Sequence, residues 1–284
     1  MPKEIKTSPD EVSKSWDGKH EISYRDSSHR YKWTCPCHAK APATSVTTFI
    51  KGSYPTSMGL INWMKRQSSL ALFETLSAMR FGEAWPTTDE EKKEIFKKTE
   101  AAHEDVSREA ADIGTITHSF AELHSAGKIA EAQALLDQVK GAVKWPVIEG
   151  CVNKYLDWAA HNKGVLVLAE SLVASPTHLF CGKFDRLDKV NGRMRLRDYK
   201  TSKAFYADQF VQLGAYAIAL KEWHDINVEE FEVIRFGKDD GTFETLLISD
   251  TEEVKSFIQQ AIRCRETFEF KKWESDERFD WRKR

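Results

Sequence analysis

An α/β fold, with a central mixed β-sheet flanked by helices and a helical N-terminal part, is what the sequence predicts. Three observations predict it. Gly182–Lys203 alternates apolar and charged residues on both sides of Asn191-Gly192, the dipeptide that most readily forms a two-residue type I′ turn, so it should be a β-hairpin. Val165–Ala174 is almost entirely apolar, as a buried strand is. Segments of helical period, such as Leu60–Arg80, Val143–Lys163 and Ala204–Trp223, surround these strands.

At 284 residues, 41% hydrophobic and 30% charged, the chain is long enough to bury a sizeable core. The expected division is a flexible tail over 1–19 and a single domain over 20–284. No apolar run approaches the ~20 residues of a membrane span. The first residues include Glu4, Asp10 and Glu11 and no apolar core, so neither a secretory nor a mitochondrial presequence is visible. Five scattered cysteines suggest reduced thiols in a cytoplasmic compartment. A net charge of −2 argues against coating nucleic acid by bulk electrostatics, while an enzyme needs only a local basic groove.

In chain order, His20–Trp33 alternates around Asp26-Ser27-Ser28 and predicts a small hairpin packed through Ile22, Tyr24, Tyr31 and Trp33. Cys35-Pro36-Cys37-His38 invites a zinc reading, with His20 and His29 nearby. It lacks a second ligand pair at finger or ribbon spacing, and the cysteines are expected as loop residues. Ala43–Tyr54 is β-branched and breaks at Gly52, Pro55 and Gly59, after which the Leu60–Arg80 helix begins. Glu83–Glu94 is an acidic loop entering a helix with Thr88 or Asp89 as N-cap. Helical character continues to Ala111, and Gly114 then permits a close approach or a kink before His118 and Glu122, which share one helix face. Gly127 closes that helix, and Ala130–Lys140 and Val143–Lys163 follow as two more.

Glu170 interrupts the Val165–Ala174 strand, and a carboxylate there is costly unless it is paired or on a metal. A turn at Ser175–His178 would set Glu170 opposite Lys183, where it either serves the site or pairs with that lysine. Ala204–Trp223 carries Gln212 and Tyr216 as neighbours one turn apart. Glu229–Phe236 and Thr242–Ser249 form another hairpin, and Asp250 caps a C-terminal helix. The last residues, from Trp273, are a docked or frayed end.

The chemistry concentrates in the Gly182–Lys203 hairpin. With Asn191-Gly192 as its loop, Asp185 lies opposite Asp198, and Lys200 shares their face with Leu187, Met194 and Leu196. Two carboxylates roughly 5 Å apart repel unless a cation lies between them. All-oxygen ligands suit a hard divalent ion, and a lysine beside it completes what metal-assisted phosphodiester hydrolysis needs. On the other face Arg186 meets Arg197, an unfavourable pair unless polyanion or acidic side chains cover it.

G-x-F-D, ending at Asp185, followed thirteen positions later by Asp198-Tyr199-Lys200-Thr201, resembles the core of the PD-(D/E)XK nuclease superfamily. Gln212-Leu213-Gly214-Ala215-Tyr216 resembles the Q-x-x-x-Y helix of its RecB-like branch, and Gly114-Thr115-Ile116-Thr117-His118 with Glu122 resembles that branch's histidine helix. The likeness is to phage-type and mitochondrial genome-maintenance exonucleases. It implies a restriction-endonuclease-like core over 112–284, after an N-terminal hairpin and helices over 20–111. It also implies a metal-dependent deoxyribonuclease using Mg²⁺ or Mn²⁺ on DNA, in the cytoplasm of the host cell if phage-encoded. Asp185, Asp198, Lys200 and His118 would be the catalytic set. His118, Asp185, Asp198 and the Tyr199 carbonyl would hold the ion, with Glu122 and Glu170 as further carboxylates. Gln212, Tyr216, Thr201 and Lys203 would contact DNA or support the site. Only Cys264 follows the core, so the four-cysteine iron–sulfur cluster of some relatives is not expected. A structure-specific endonuclease and a non-catalytic DNA-binding or assembly subunit are the alternatives. A homo-oligomer or a recombination partner protein is left open.

Overall fold

The computed structural model describes residues 11–38, 42–54, 58–78, 88–100, 102–162, 164–237 and 241–274. Nine strands among them form one mixed sheet. The N-terminal part is an antiparallel meander of β1 (Glu11–Lys14), β2 (Glu21–Arg25) and β3 (Arg30–Trp33), continued by β4 (Pro42–Ser45). β1 lies within the segment expected as a tail; its residues pair with Glu21–Tyr24, and residues 1–10 of that segment lie outside the described ones. Helices α1 (Val46–Ser53), α2 (Met58–Ala78), α3 (Asp89–Glu100), α4 (Ala102–Ser125), α5 (Ile129–Val139) and α6 (Trp145–His161) follow. The β-branched run after β4 turns helical because Ser45 caps it, its Oγ accepting from the Thr48 N–H at 3.1 Å. Thr88 caps α3 in a reciprocal box with Glu91.

The core strands are β5 (Val165–Ser175), β6 (Phe180–Val190) and β7 (Arg193–Thr201). After them come α7 (Ala207–His224), β8 (Glu230–Phe236), β9 (Phe243–Ile248) and α8 (Thr251–Glu274). Residues 238–240 and those beyond Glu274 lie outside the described residues. Asn191 and Gly192 have φ of 51° and 86°, as the β6–β7 turn requires. β7 pairs in parallel with β8, and β8 antiparallel with β9. All seven residues of β8 are buried, because the sheet is covered on both faces. Val233, Phe231, Leu187 and Leu196 pack with α1, α7 and α8, while Tyr199, Ile234 and Phe236 pack with α4, α5 and α6. β5 is buried only in its second half, with Val165, Leu166 and Val167 exposed, so its apolar start is not the buried strand that its composition predicts.

One branching in this sheet makes the site. β5 runs along one edge of β6 for nearly its full length. The other edge is shared: β4 takes Phe180 and Cys181 in parallel, and β7 takes Arg186–Val190. Between them β6 and β7 part.

Candidate active site

The hairpin register is the one the sequence predicts, with Arg186 opposite Arg197 and Leu187 opposite Leu196. The ladder stops there, one residue short of Asp185, so Asp185 and Asp198 are not the cross-strand pair expected. The physical reason is the fork: β6 bends away toward β4 while β7 continues along β8. With no β7 partner paired to it on that edge, Asp185 fills the gap with its own side chain, and its Oδ2 accepts the Tyr199 N–H at 2.7 Å.

Helix α4 brings His118 to this carboxylate. Its Nε2 lies 3.3 Å from Asp185 Oδ2 and 3.0 Å from Glu122 Oε1, one turn along the same helix. The ring also meets the Tyr199 ring edge-on, with centroids 5.7 Å apart. Gly114 sets the approach of the helix. A Cβ there would lie 2.3 Å from Thr201 Oγ1, so only glycine lets α4 come this close to β7. Thr201 is therefore a packing contact beside Lys200.

Asp198 and Lys200 project on the Leu196 face of β7, toward α7. Lys200 Nζ is 2.5 Å from Asp198 Oδ2, and Asp198 is 2% exposed. The two stand beside the His118–Glu122–Asp185 cluster, whose ligand atoms all lie within 4.8 Å of one another. Tyr216 of α7 closes the far side. It is buried against the backbone of Gly182, where a Cβ would be 2.8 Å from its ring, and it hydrogen-bonds Gln212. Lys203 lies in the exposed connection after β7.

Glu170 reaches the site by a route that the sequence does not show. The β5–β6 register differs by two residues from the expected one, because Ser175 pairs with Phe180. Glu170 thus falls opposite Asp185 instead of Lys183, and it sits at an irregularity with φ of 46°. Its Oε2 still reaches Lys183 Nζ at 3.8 Å, and its Oε1 is buried with no hydrogen-bond partner.

The charges are strongly coupled. Burial pushes Glu170 up to about 8, with the Glu122 and Asp185 carboxylates adding to the shift. Burial likewise drives Asp198 up to about 6, opposed by Lys200 and reinforced by Asp185. Burial disfavours a charged His118, yet Asp185 and Glu122 outweigh it and raise its pKa to about 9. Burial would also lift Asp185, but His118, Lys200 and the Tyr199 N–H hold it below the usual carboxylate range. Lys200 is raised: burial works against its charge, and Asp198 and Asp185 overcome that cost.

A family model for the PD-(D/E)XK nuclease superfamily matches residues 92–280, more than half of the chain. The chain belongs to this superfamily. The match takes in α4, the β5–β6–β7 fork and α7, and leaves the β1–β4 meander outside. Among solved structures, one similar to this chain is a putative exonuclease from Eubacterium rectale, at 8% identity and a TM-score of 0.40, covering 57% of this chain and 66% of that one, just under two thirds of its length. Another is SSO0001, at 14% identity and a TM-score of 0.26, covering 77% and 89%. Both scores are below 0.5 and add nothing to the family assignment. No curated protein matches the chain.

Nucleases of this superfamily generally use divalent metals, and the residues of this one fit such an ion. Two carboxylates and an imidazole converge, Glu170 beside them has an oxygen buried without a partner, and the neighbouring carboxylates raise its proton affinity. Oxygen-rich sets of this kind select hard cations. On the opposite face of the hairpin, acidic side chains answer the facing arginines. Asp188 Oδ2 bridges Arg186 Nε (2.8 Å) and Arg197, and Glu232 accepts from Arg197 Nε at 2.6 Å. That face is a structural ion network and no polyanion surface.

The sequence reading also missed a second cluster. His20, Cys35, Cys37 and His38, expected as an unremarkable loop, come together, while His29 turns away to Tyr24 (Nδ1 to Oη, 2.8 Å). The signal was available in the β2–β3 register: Ile22 pairs with Trp33, so two residues further out His20 comes opposite Cys35.

Proposed function

We propose that this nuclease is a Mg²⁺- or Mn²⁺-dependent DNA exonuclease of the RecB-like branch, of the kind that phages use in DNA processing or recombination. The observation that carries it is the fork. It gathers Asp185, His118, Glu122, Glu170, Asp198 and Lys200, from four separate elements, around one break in the sheet. The order of the histidine helix, the hairpin and the Gln212–Tyr216 helix supports the branch.

His118, Asp185 and Glu122 would hold the ion, with Asp198 and the Tyr199 carbonyl beside them and Glu170 as a further carboxylate. A bound divalent ion supplies Lewis-acid activation of water and neutralises charge on the phosphate. Asp185 is kept ionised by His118, Lys200 and the Tyr199 N–H, so it is ready to bind without first losing a proton. Lys200 carries its proton at neutral pH because two carboxylates face it. As a donor it would orient the attacking water and stabilise phosphate oxygens. Gln212 holds the buried Tyr216 hydroxyl against β6, where the pair braces the fork from behind.

Incubating end-labelled linear DNA and closed circular DNA with Mg²⁺ tests this reading. Products released progressively from ends, with circles intact, are expected. Nicked circles would favour a structure-specific endonuclease, and a mobility shift without products a binding subunit. Asp198→Ala and Lys200→Ala should abolish cleavage and leave the circular dichroism spectrum unchanged. Wild-type rates in either would refute the assignment of roles.

A further inference from the structure

We infer that His20, Cys35, Cys37 and His38 form a zinc(II) site of two thiolates and two imidazoles that fastens the N-terminal meander. The four ligand atoms lie within 4.8 Å of one another. Cys37 Sγ is 3.0 Å from Cys35 Sγ, 3.2 Å from His38 Nδ1 and 3.4 Å from His20 Nδ1, and Cys35 Sγ is 3.1 Å from His38 Nδ1. Around tetrahedral zinc, with bonds of about 2.3 Å to sulfur and 2.0 Å to nitrogen, neighbouring ligand atoms stand roughly 3.3–3.8 Å apart. The observed edges, 3.0–3.4 Å, fall at or below the lower end of that range, the sulfur–sulfur edge most, so the four atoms already converge more tightly than they would around a bound ion. Both cysteines are free.

Hydrogen bonding does not satisfy this group. A thiol has one weak donor, and a neutral imidazole has one donor and one acceptor. Cys37 Sγ alone faces a sulfur, two ring nitrogens and the Lys19 carbonyl at 3.7 Å. One cation at the centre would engage all four lone pairs at once. Two thiolates and two neutral imidazoles give a site of zero net charge with zinc, and binding releases two thiol protons. Sulfur and nitrogen donors favour zinc over the hard cations that suit the oxygen-rich fork.

The backbone builds the site in advance. Thr34 and Cys35 N–H both donate to the Glu21 carbonyl, at 2.9 and 3.4 Å, which holds the end of β3 against the start of β2. Pro36–His38 is a 3-10 turn, closed by the His38 N–H on the Cys35 carbonyl at 3.3 Å, and it returns Cys37 and His38 toward Cys35. Trp33 stacks on the His38 ring at 4.1 Å and 17°. Trp33 is itself 2% exposed and contacts Trp223 of α7, so the site is anchored to the main core. A meander of strands four or five residues long has little core of its own, which is where a metal staple adds most. All four residues lie outside the stretch matched by the nuclease family model.

The test is elemental analysis of the full chain, purified in reductant without added metal and dialysed. About one zinc per chain is expected. Cobalt(II) exchanged into the protein should show intense tetrahedral visible bands and a thiolate charge-transfer band in the near ultraviolet. Cys35→Ser/Cys37→Ser and His20→Ala/His38→Ala should lose the zinc, whereas His118→Ala, in the oxygen-rich cluster, should keep it. If the cysteine variant does not fold, release of zinc from the wild-type chain by a thiol-specific mercurial, followed with a chromogenic chelator, gives the same reading. Zinc well below one equivalent, zinc retained by the cysteine variant or insensitive to the mercurial, zinc lost in His118→Ala, or an intact mass showing a Cys35–Cys37 disulfide would each overturn the proposal.

Discussion

Gly114 is the position where the smallest change should do the most damage to the site. It lies on α4 one turn before His118, and a Cβ there would stand 2.3 Å from Thr201 Oγ1, 3.0 Å from its Cβ and 3.3 Å from its Cγ2. Ordinary contact begins near 3.4 Å, so Gly114→Ala must part α4 from β7 by about 1 Å. His118, one turn along the same helix, reaches Asp185 of the neighbouring β6 at 3.3 Å and moves with the helix. Overpacking of this kind costs about 1–3 kcal/mol, and displacing a functional group by 1 Å costs on the order of 100-fold in rate. The expected result is a modest fall in the urea midpoint with a drop of about two orders of magnitude in Mg²⁺-dependent cleavage. Thr201→Ala removes the two atoms at 2.3 and 3.3 Å and leaves only the Cβ contact, so the double variant should recover most of the loss. Independent effects would instead add. Additive losses, or a Gly114→Ala enzyme at wild-type rate, would show that the α4–β7 spacing does not set the geometry of His118.

Three further outcomes follow from the charges. Asp188 is fully buried between Arg186 and Arg197, so Asp188→Asn leaves the buried Arg197 and the partly buried Arg186 short of a counter-charge. It should lower unfolding stability by about 3–5 kcal/mol, and a loss under 1 kcal/mol in denaturant titration would contradict the network. Metal binding requires neutral His118, whose pKa stands at about 9 before an ion binds. Mg²⁺ affinity should therefore climb up to ~tenfold per pH unit through neutrality and level off near that value, as calorimetry at several pH values would show; a flat profile refutes the ligand assignment. In the metal-free protein two of the raised pKa values, those of Glu170 and His118, act through proton uptake on folding at neutral pH. Glu170, raised from 4.5 to about 8, makes stability fall as pH rises across that interval. His118, raised from 6.5, stabilises fully below 6.5 and loses that contribution through about 9. Glu170→Gln should flatten the first part of the slope in thermal melts and leave the second; an unchanged slope between pH 5 and 8 would count against a buried, protonated Glu170.

What the sequence disclosed and what it concealed divide along the distance between the residues that decide each feature. The β6–β7 register was legible because two adjacent residues, Asn191 and Gly192, settle it, both with positive φ. The β5–β6 register was not. Its turn places Leu179 in the left-handed region at φ 55°, a conformation that no glycine or asparagine advertises, and Arg265 on the distant α8 braces it through the His178 and Leu179 carbonyls. The parting of Asp185 from Asp198 was hidden for the same reason, since it depends on Thr44 and Ser45 claiming the edge of β6 from far upstream. His20 was passed over as a partner for Cys35 and Cys37 because ligand spacing along the chain says nothing when a strand pair closes the distance.

The facing arginines, which looked like a defect in the hairpin, are better understood as what makes its register unique. A strand slipped by one residue would turn Asp188 to the other face and leave Arg195 and Arg197 against the apolar side. In the observed register a single Asp188 oxygen reaches Arg186 along its own strand and Arg197 across the gap, and the parallel pairing of β7 with β8 sets Glu230 and Glu232 against Arg195 and Arg197. Removing either sign of charge leaves the other buried and uncompensated, at a cost that no slipped pairing recovers. The last rung so fixed, Arg186 to Arg197, is the one next to the fork. The ion network therefore secures the β6–β7 pairing up to the rung where β4 takes over the edge of β6, and Asp185 stands just beyond it, where His118 and Lys200 can both act on it.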